Sequence, residues 1–544
     1  MSAIAPRPPE IVMRLARLGA AHPTRLSFLR ALIRGATRER WRLRRAHFAL
    51  DNAGFGHAVY TVETPGHAYS LVAFSTPLAD ERRTDRVIAQ AWDTSFALYD
   101  GAPDADEIVR LQANAPLQEA GRFTARELVL ARANKSVRLF EAVVAALAKG
   151  EQPDGAALAE VGYLLRTTAV YGNGKFGIAD RDEFAGRPEL AGPFRAEMLT
   201  VWLIRAFSFD LVDHVAARRS PGAARLAPEL RRSLGVGNAT GLGMAPFLVR
   251  HPVLIHRWFA ARETALARVR GLAEADEAEA FARSLAVFRA GVEAWRTQDA
   301  RQAAAIVALK ADLAGLAEAA PQILRGPLPW DALYRFAEAR LSLEGQEACV
   351  ALMLEPHGAL IDDLADEMQA DETLGQGLDG RVTCAAMRQT LAHRYGWAAE
   401  TDFADPAANA RFWYVSADKL EPRLGERFEE AGAELEQPLA VARDALGLAA
   451  ALAEAPEAQP LADFLLRHPQ WRHVARRAQT LDRCAYAEIR DNLIGAEMRP
   501  IDILRAKLAF FGARRFDPRS DRWLRIALFA DEPPIETICS GEAA

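Results

Sequence analysis

His57-Ala-Val-Tyr-Thr-Val-Glu-Thr64, Pro65-Gly66 and His67-Ala-Tyr-Ser-Leu-Val-Ala-Phe74 follow one another without interruption. Two runs of period-two patterning, rich in β-branched and aromatic residues, flank a Pro-Gly turn, which predicts a β-hairpin. A lone hairpin is only marginally stable in water, so it needs further strands. Ser95-Phe-Ala-Leu-Tyr99 offers one, and Trp523-Leu-Arg-Ile-Ala-Leu-Phe529 another from far along the chain. The four are expected to meet in one small sheet.

Outward from the hairpin the pattern turns helical. Thr124-Ala-Arg-Glu127 has the spacing of a capping box and opens a predicted helix through Leu130, Val137, Phe140, Val144 and Leu147 to Gly150. Phe281, Leu285, Phe288, Val292 and Trp295 keep a three-four spacing that Ile306, Leu309, Leu313 and Leu316 resume. That pattern fits either one very long helix or an antiparallel helical hairpin turning near Thr297-Gln-Asp299. The expected fold class is therefore mainly α: multi-helical, with long antiparallel helices and one small β-sheet made of the N-terminal hairpin and a C-terminal strand. At 544 residues the chain exceeds the roughly 250–300 at which one core stops growing. The expected division is a basic helical arm (1–50), a small α+β segment (51–110), a helical domain carrying two glycine-rich loops (111–326) and a helical domain ending in a strand (327–544).

Charge is distributed unevenly. Residues 1–50 hold eleven arginines against Glu10 and Glu39, so the rest of the chain carries all of the net charge of −5 and more. Docking of this arm on the acidic remainder is one reading, and a transit peptide is another. Nucleic acid is kept as a further alternative, with Trp41 lying among Arg38, Arg40, Arg42, Arg44 and Arg45, although no recognised binding motif follows. No apolar run reaches the length of a bilayer span, so no membrane partner is expected. Cys349, Cys384, Cys484 and Cys539 are scattered, which fits reduced thiols in the cytoplasm and no zinc site. Alanine-rich long helices leave a homo-oligomer open.

Two segments invite a ligand. Tyr171-Gly172-Asn173-Gly174-Lys175-Phe176-Gly177 cannot be helix interior, and its amides could form an anion-binding nest. It lacks P-loop spacing; the alternative is a tight connection after a helix. Gly235-Val-Gly237-Asn238-Ala-Thr240-Gly241-Leu-Gly-Met244 leads through Pro246 towards a helix after Pro252, a means of holding phosphate or carboxylate. The sixth position of a G-x-G-x-x-G register is Thr240, which disfavours a dinucleotide fold. This stretch resembles the mobile loop of the fumarase and aspartase superfamily in Met244 and two prolines only; the serine pair and downstream lysine are missing, and the likeness is set aside.

Glu197–His214 is apolar nearly all round, as a central helix should be, so Arg205 within it calls for a carboxylate or an anionic ligand. Asp210 and His214 share a helix face and could bond each other. A dense polar cluster near Arg490 and Asn492 reads equally as a structural network or a binding site. Glu355-Pro-His357 with Asp362, Asp363 and Asp366 reads as an acidic helix face in preference to a metal site. Only six of the 67 basic residues are lysine, and Lys175 alone sits in a glycine-rich loop. The functional expectation is an enzyme acting on a small anionic (phosphate- or carboxylate-bearing) metabolite by acid–base chemistry such as elimination, isomerisation or group transfer. Lys175, Tyr171 and His251 are the catalytic candidates. Gly172, Asn173, Gly174, Arg205, Gly237, Asn238, Thr240, Gly241, Arg490 and Asn492 are the binding candidates. No metal is expected, and the sequence specifies no cofactor. The alternative is a non-catalytic helical scaffold or regulator.

Overall fold

The computed structural model describes residues 4–82, 91–172, 186–190, 192–239, 251–368, 377–400, 415–416, 419–420, 438–490, 500–514 and 525–536. The chain forms two units, each discontinuous in sequence: Met1–Leu26, Gly241–Lys507 and Pro518–Arg522 make a helical unit, while Ser27–Thr240, Leu508–Asp517 and Trp523–Ala544 make a sheet unit.

In the sheet unit β1 (Arg42–Leu50), β2 (Gly56–Glu63), β3 (Ala68–Ser75), β4 (Thr94–Asp100), β5 (Glu127–Lys135), β6 (Tyr163–Gly172), β7 (Gly235–Ala239) and β8 (Arg525–Leu528) lie side by side in chain order. Strands β1 to β6 form an antiparallel meander; β7 pairs parallel to β6, and β8 pairs antiparallel to β7. The sheet is large, mixed and curled. This overturns the mainly-α expectation with its one small sheet: the predicted hairpin and the two extra strands are there, but as four members of eight.

Two-sided burial explains the discrepancy. The chain contributes α1 (Phe28–Arg38), α2 (Ala105–Asn114), α3 (Phe140–Ala148), α4 (Arg195–Arg219) and α5 (Pro228–Ser233) to this unit. Helix α4 covers one face, with Phe207 edge-on to Tyr60 and Phe96 and Trp202 stacked on Phe529. Leu111 of α2 and Ala115 cover the other, joining the row Val59, Val72, Ala97 and Leu130 that the strand register aligns. A strand buried on both faces shows an unbroken apolar run in place of alternation, and periodicity alone cannot tell that from a buried helix. Leu128-Val-Leu-Ala131 of β5 is such a run. The Thr124–Glu127 motif closes a turn into β5 instead of starting a helix: Thr124 Oγ1 accepts from Arg126 N at 3.3 Å, and the fully buried Glu127 carboxylate takes Phe123 N at 2.6 Å and Arg110. Only the second half of the predicted helix forms, as α3. The supposedly helical arm likewise supplies β1, whose exposed Arg42 and Arg44 make an edge that discourages further strand pairing.

The helical unit contains α6 (Pro252–Arg270), α7 (Ala278–Glu293), α8 (Ala300–Ile323), α9 (Pro329–Arg340), α10 (Leu343–Leu354), α11 (Cys384–Tyr395), α12 (Pro438–Ala453) and α13 (Arg472–Arg483). Asp299 caps α8 by accepting from Gln302 N at 2.8 Å, so the periodic stretch is two packed helices and not one. The N-terminal residues are built into this unit. Arg7 bonds the carboxylates of Glu263 (2.7 Å) and Glu347 (2.8 Å), and Glu347 also takes Arg17 (3.0 Å) and Arg262. Both glutamates are fully buried. Arg25 forks onto Asp362 at 2.7 and 2.8 Å. Among the described residues no helix is long and apolar enough to cross a membrane.

Candidate functional site

At one end of the sheet β2, β4, β6 and β7 stop and β3, β5 and β8 begin. The hairpin turn at this end is fixed by Thr64, whose N–H donates to His67 O at 2.8 Å while its hydroxyl accepts from His67 N at 3.0 Å. Two residues on, Tyr69 shares the strand face of His67. The turn Pro188–Leu190 brings Glu189 to both. Glu189 Oε1 accepts from Tyr69 Oη at 2.5 Å, lies 3.1 Å from the Thr64 hydroxyl and faces His67 Nδ1 at 3.5 Å.

The burial pattern matters for the chemistry. Glu189 is 7% exposed and Tyr69 fully buried, whereas the His67 side chain is 37% exposed. His67 Nδ1 itself is buried, so the open part of the ring lies elsewhere. An accessible imidazole thus stands beside a buried carboxylate at ion-pair distance, with no hydrogen bond to Nδ1 among the described residues, a pairing that can serve proton transfer once the ring turns onto the carboxylate. Burial pushes the Tyr69 phenol well above its usual value, and the bond to Glu189 adds to this, so Tyr69 keeps its proton and remains a donor. Arg187 is held by Asp100 at 2.9 Å, and Asp100 lies opposite Tyr69 in the register, placing a cation beside the phenol.

None of these residues stands out in the sequence as a candidate. His67 and Tyr69 at spacing two beside a turn are a usable signal; Glu189 and Arg187 arrive from over a hundred residues away, and no local pattern marks them.

The predicted residues fare differently. Tyr171 and Gly172 are the last residues of β6, opposite Leu130 and Val129, and do not follow a helix. Gly237 and Asn238 belong to β7, so the second glycine-rich segment begins as a strand; Asn238 Nδ2 donates to Thr167 Oγ1 at 2.9 Å and Thr167 donates to Gly237 O at 3.1 Å. The two segments start at opposite ends of this parallel pair: Tyr171 closes β6, whereas Gly235 opens β7 opposite Tyr163. Asn173, Gly174, Lys175, Thr240, Gly241 and Asn492 lie outside the described residues. His251, in the helical unit, is buried just before α6. Arg490, in the same unit, pairs with Glu10 at 3.2 Å, and its N–H donates to Met13 O.

Arg205 is buried but needs no anion. Its guanidinium donates to the carbonyls of Leu234 (2.6 Å), Arg231 (3.0 Å), Arg232 (2.9 Å), Glu532 (3.0 Å) and Pro533 (3.2 Å). Three of the five lie at or just beyond the C-terminus of α5, where free carbonyls concentrate negative charge. Asp210 and His214 each bond elsewhere: Asp210 accepts from Tyr60 (2.7 Å) and Arg45 (2.9 Å), and His214 Nε2 meets Asp51 O at 2.8 Å. No family model, curated protein or solved structure matches this chain.

Proposed function

We propose that the chain is an enzyme that acts on a small anionic metabolite by acid–base chemistry, of elimination, isomerisation or group-transfer type, at the sheet end where His67, Tyr69 and Glu189 meet. The observation that carries this reading is the half-exposed His67 ring facing a buried carboxylate. In it His67 accepts and returns a proton beside the Glu189 carboxylate, and Tyr69 keeps its own proton as a donor to Glu189. A cytoplasmic setting is part of the proposal, supported by the buried, unpaired thiols of Cys349, Cys384 and Cys484.

Solvent deuterium incorporation tests it with no need to identify the substrate first. The full chain is incubated in D2O with a panel of hydroxy acids, oxo acids and phosphate esters and followed by NMR. Exchange at one carbon in at least one compound is expected, with His67→Gln slowing it by about 10²-fold or more, the usual contribution of a general base. Undiminished exchange in His67→Gln removes the residue from the chemistry.

A second reading, a non-catalytic scaffold, draws on a specific observation: several features that suggested an anion cradle have structural explanations. A Cβ on Gly235 would stand 2.2 Å from Leu528 O, and one on Gly237 2.7 Å from the Tyr163 ring, so packing alone requires both glycines. A folded protein that exchanges none of the panel compounds supports this second reading.

A further inference from the structure

Strand β1 is the terminal strand of the eight-stranded sheet. It pairs with β2 on one side, and among the described residues no backbone group of Arg42–Leu50 bonds anything on the other. Alternate N–H and C=O groups of an antiparallel edge point away from its neighbour, so β1 carries an open row of donors and acceptors. Arg42–Arg45 is regular, and the register shifts only between Arg45 and His47.

The chain enters this strand through a strained residue. Helix α1 closes with Arg40 N donating to Thr37 O at 3.2 Å and Trp41 N to Ala36 O at 3.0 Å. That pattern places the residue between helix and strand in the left-handed region, where glycine is the usual occupant. Here it is Arg40, with a φ of 55°. A side chain at such a position strains the backbone, and no contact within the protein offsets it. Arg40 is exposed and meets no carboxylate among the described residues; the same holds for Arg42. Arg38 and Arg44 are exposed too, and their nearest acids stand off at 3.7 Å (Glu39) and 3.9 Å (Glu63). Arg45 is the one held closely, by Asp210 at 2.9 Å. The edge therefore presents a surplus of positive charge on a chain whose net charge is −5.

Two kinds of polyanion fit such a field. Trp41, the aromatic residue within the basic run, is 1% exposed and offers no face on which a nucleic-acid base can stack. The strand geometry favours a peptide. Arg42 and Arg44 share one strand face, roughly 7 Å apart. A strand added to β1 sets its own alternate side chains directly opposite them, at about 4.5–5.5 Å. The arginines that keep a second basic edge away draw in an acidic one.

We infer that the β1 edge binds an acidic, extended segment of a partner protein. The segment pairs with the backbone of Arg42–Arg45 and sets carboxylates against Arg42 and Arg44, with Arg40 at the end of the row.

Fluorescence anisotropy of the full chain with a labelled peptide of about ten alternating glutamates and valines, a strand's length, tests this. The peptide should bind saturably. The same peptide methylated at every backbone nitrogen keeps the charge but has no ladder donors, and should bind at least about tenfold more weakly. Arg40→Gly relieves the left-handed backbone, so the variant folds at least as well as the native chain. Combined with Arg42→Thr it should weaken the unmethylated peptide roughly fivefold or more, the loss of two exposed charge pairs. No saturable binding, equal binding of the methylated peptide, or undiminished binding by the double variant would each overturn the assignment. Tighter binding of an oligothymidylate of equal charge would overturn it in favour of a nucleic-acid surface.

Discussion

Arg205 shows how a single residue can be rightly placed and wrongly partnered. Its sequence neighbours demand burial, and burial of a cation suggests an opposing formal charge; five backbone carbonyls meet the demand instead. Desolvation lowers its pKa to about 10, which still leaves it charged at neutral pH. Arg205→Leu strands those carbonyls in a dry environment and should cost about 3–5 kcal/mol, read as a fall in the urea midpoint of the sheet unit. Arg205→Lys should recover only a small part of this, because an ammonium has three donors and no planar fork. A leucine variant of native stability would mean that the carbonyls find other partners. Gly237 makes the same point in reverse: its lack of a side chain suggests a ligand, but the Tyr163 ring occupies the space.

At the scale of elements, legibility follows the solvent. The β2–β3 hairpin can be read because its turn is explicit and β-branched side chains fill its strands. Strand β5 is hidden by Leu and Ala, good helix formers whose preference tertiary packing overrides. Strand β7, Gly-Val-Gly-Asn-Ala, has almost no strand propensity and exists because β6 and β8 flank it. The candidate site shares this fate, since half of it lies in the readable hairpin and half in the unremarkable Arg187-Pro-Glu-Leu190. The N-terminal segment is legible as a docking arm but not as one whose partners, Glu263 and Glu347, are wholly buried. Burial alone would raise Glu347, yet Arg7, Arg262 and Arg17 together bring it down to about 2 from an ordinary 4.5. A folded-state value depressed in this way contributes stability in full above about 4.5 and loses it as pH falls towards 2. The thermal midpoint of the helical unit should therefore fall through that window, and Glu347→Gln should be less stable at neutral pH with a flatter acid limb. Parallel acid limbs for the two proteins would refute the assignment.

At the scale of the molecule, neither unit is a continuous stretch of chain. The sheet unit takes its last strand from Arg525–Leu528, and the helical unit takes Arg7 and Arg17 from the opposite end of the sequence. Cutting the chain after Arg514 should leave β7 with an open edge of unpaired N–H and C=O groups, and self-association visible by light scattering is expected. A truncated protein that stays monodisperse and native-like would show β8 to be dispensable.

That late strand also sets a timetable. During synthesis roughly 290 residues separate β7 from β8, which at about 5–20 residues per second is a wait of some 15–60 s. For that interval the nascent chain carries an incomplete sheet whose unpaired rim is the apolar, glycine-bearing strand Gly235–Ala239. Until β8 emerges, the half-made chain bears an edge that the finished sheet covers.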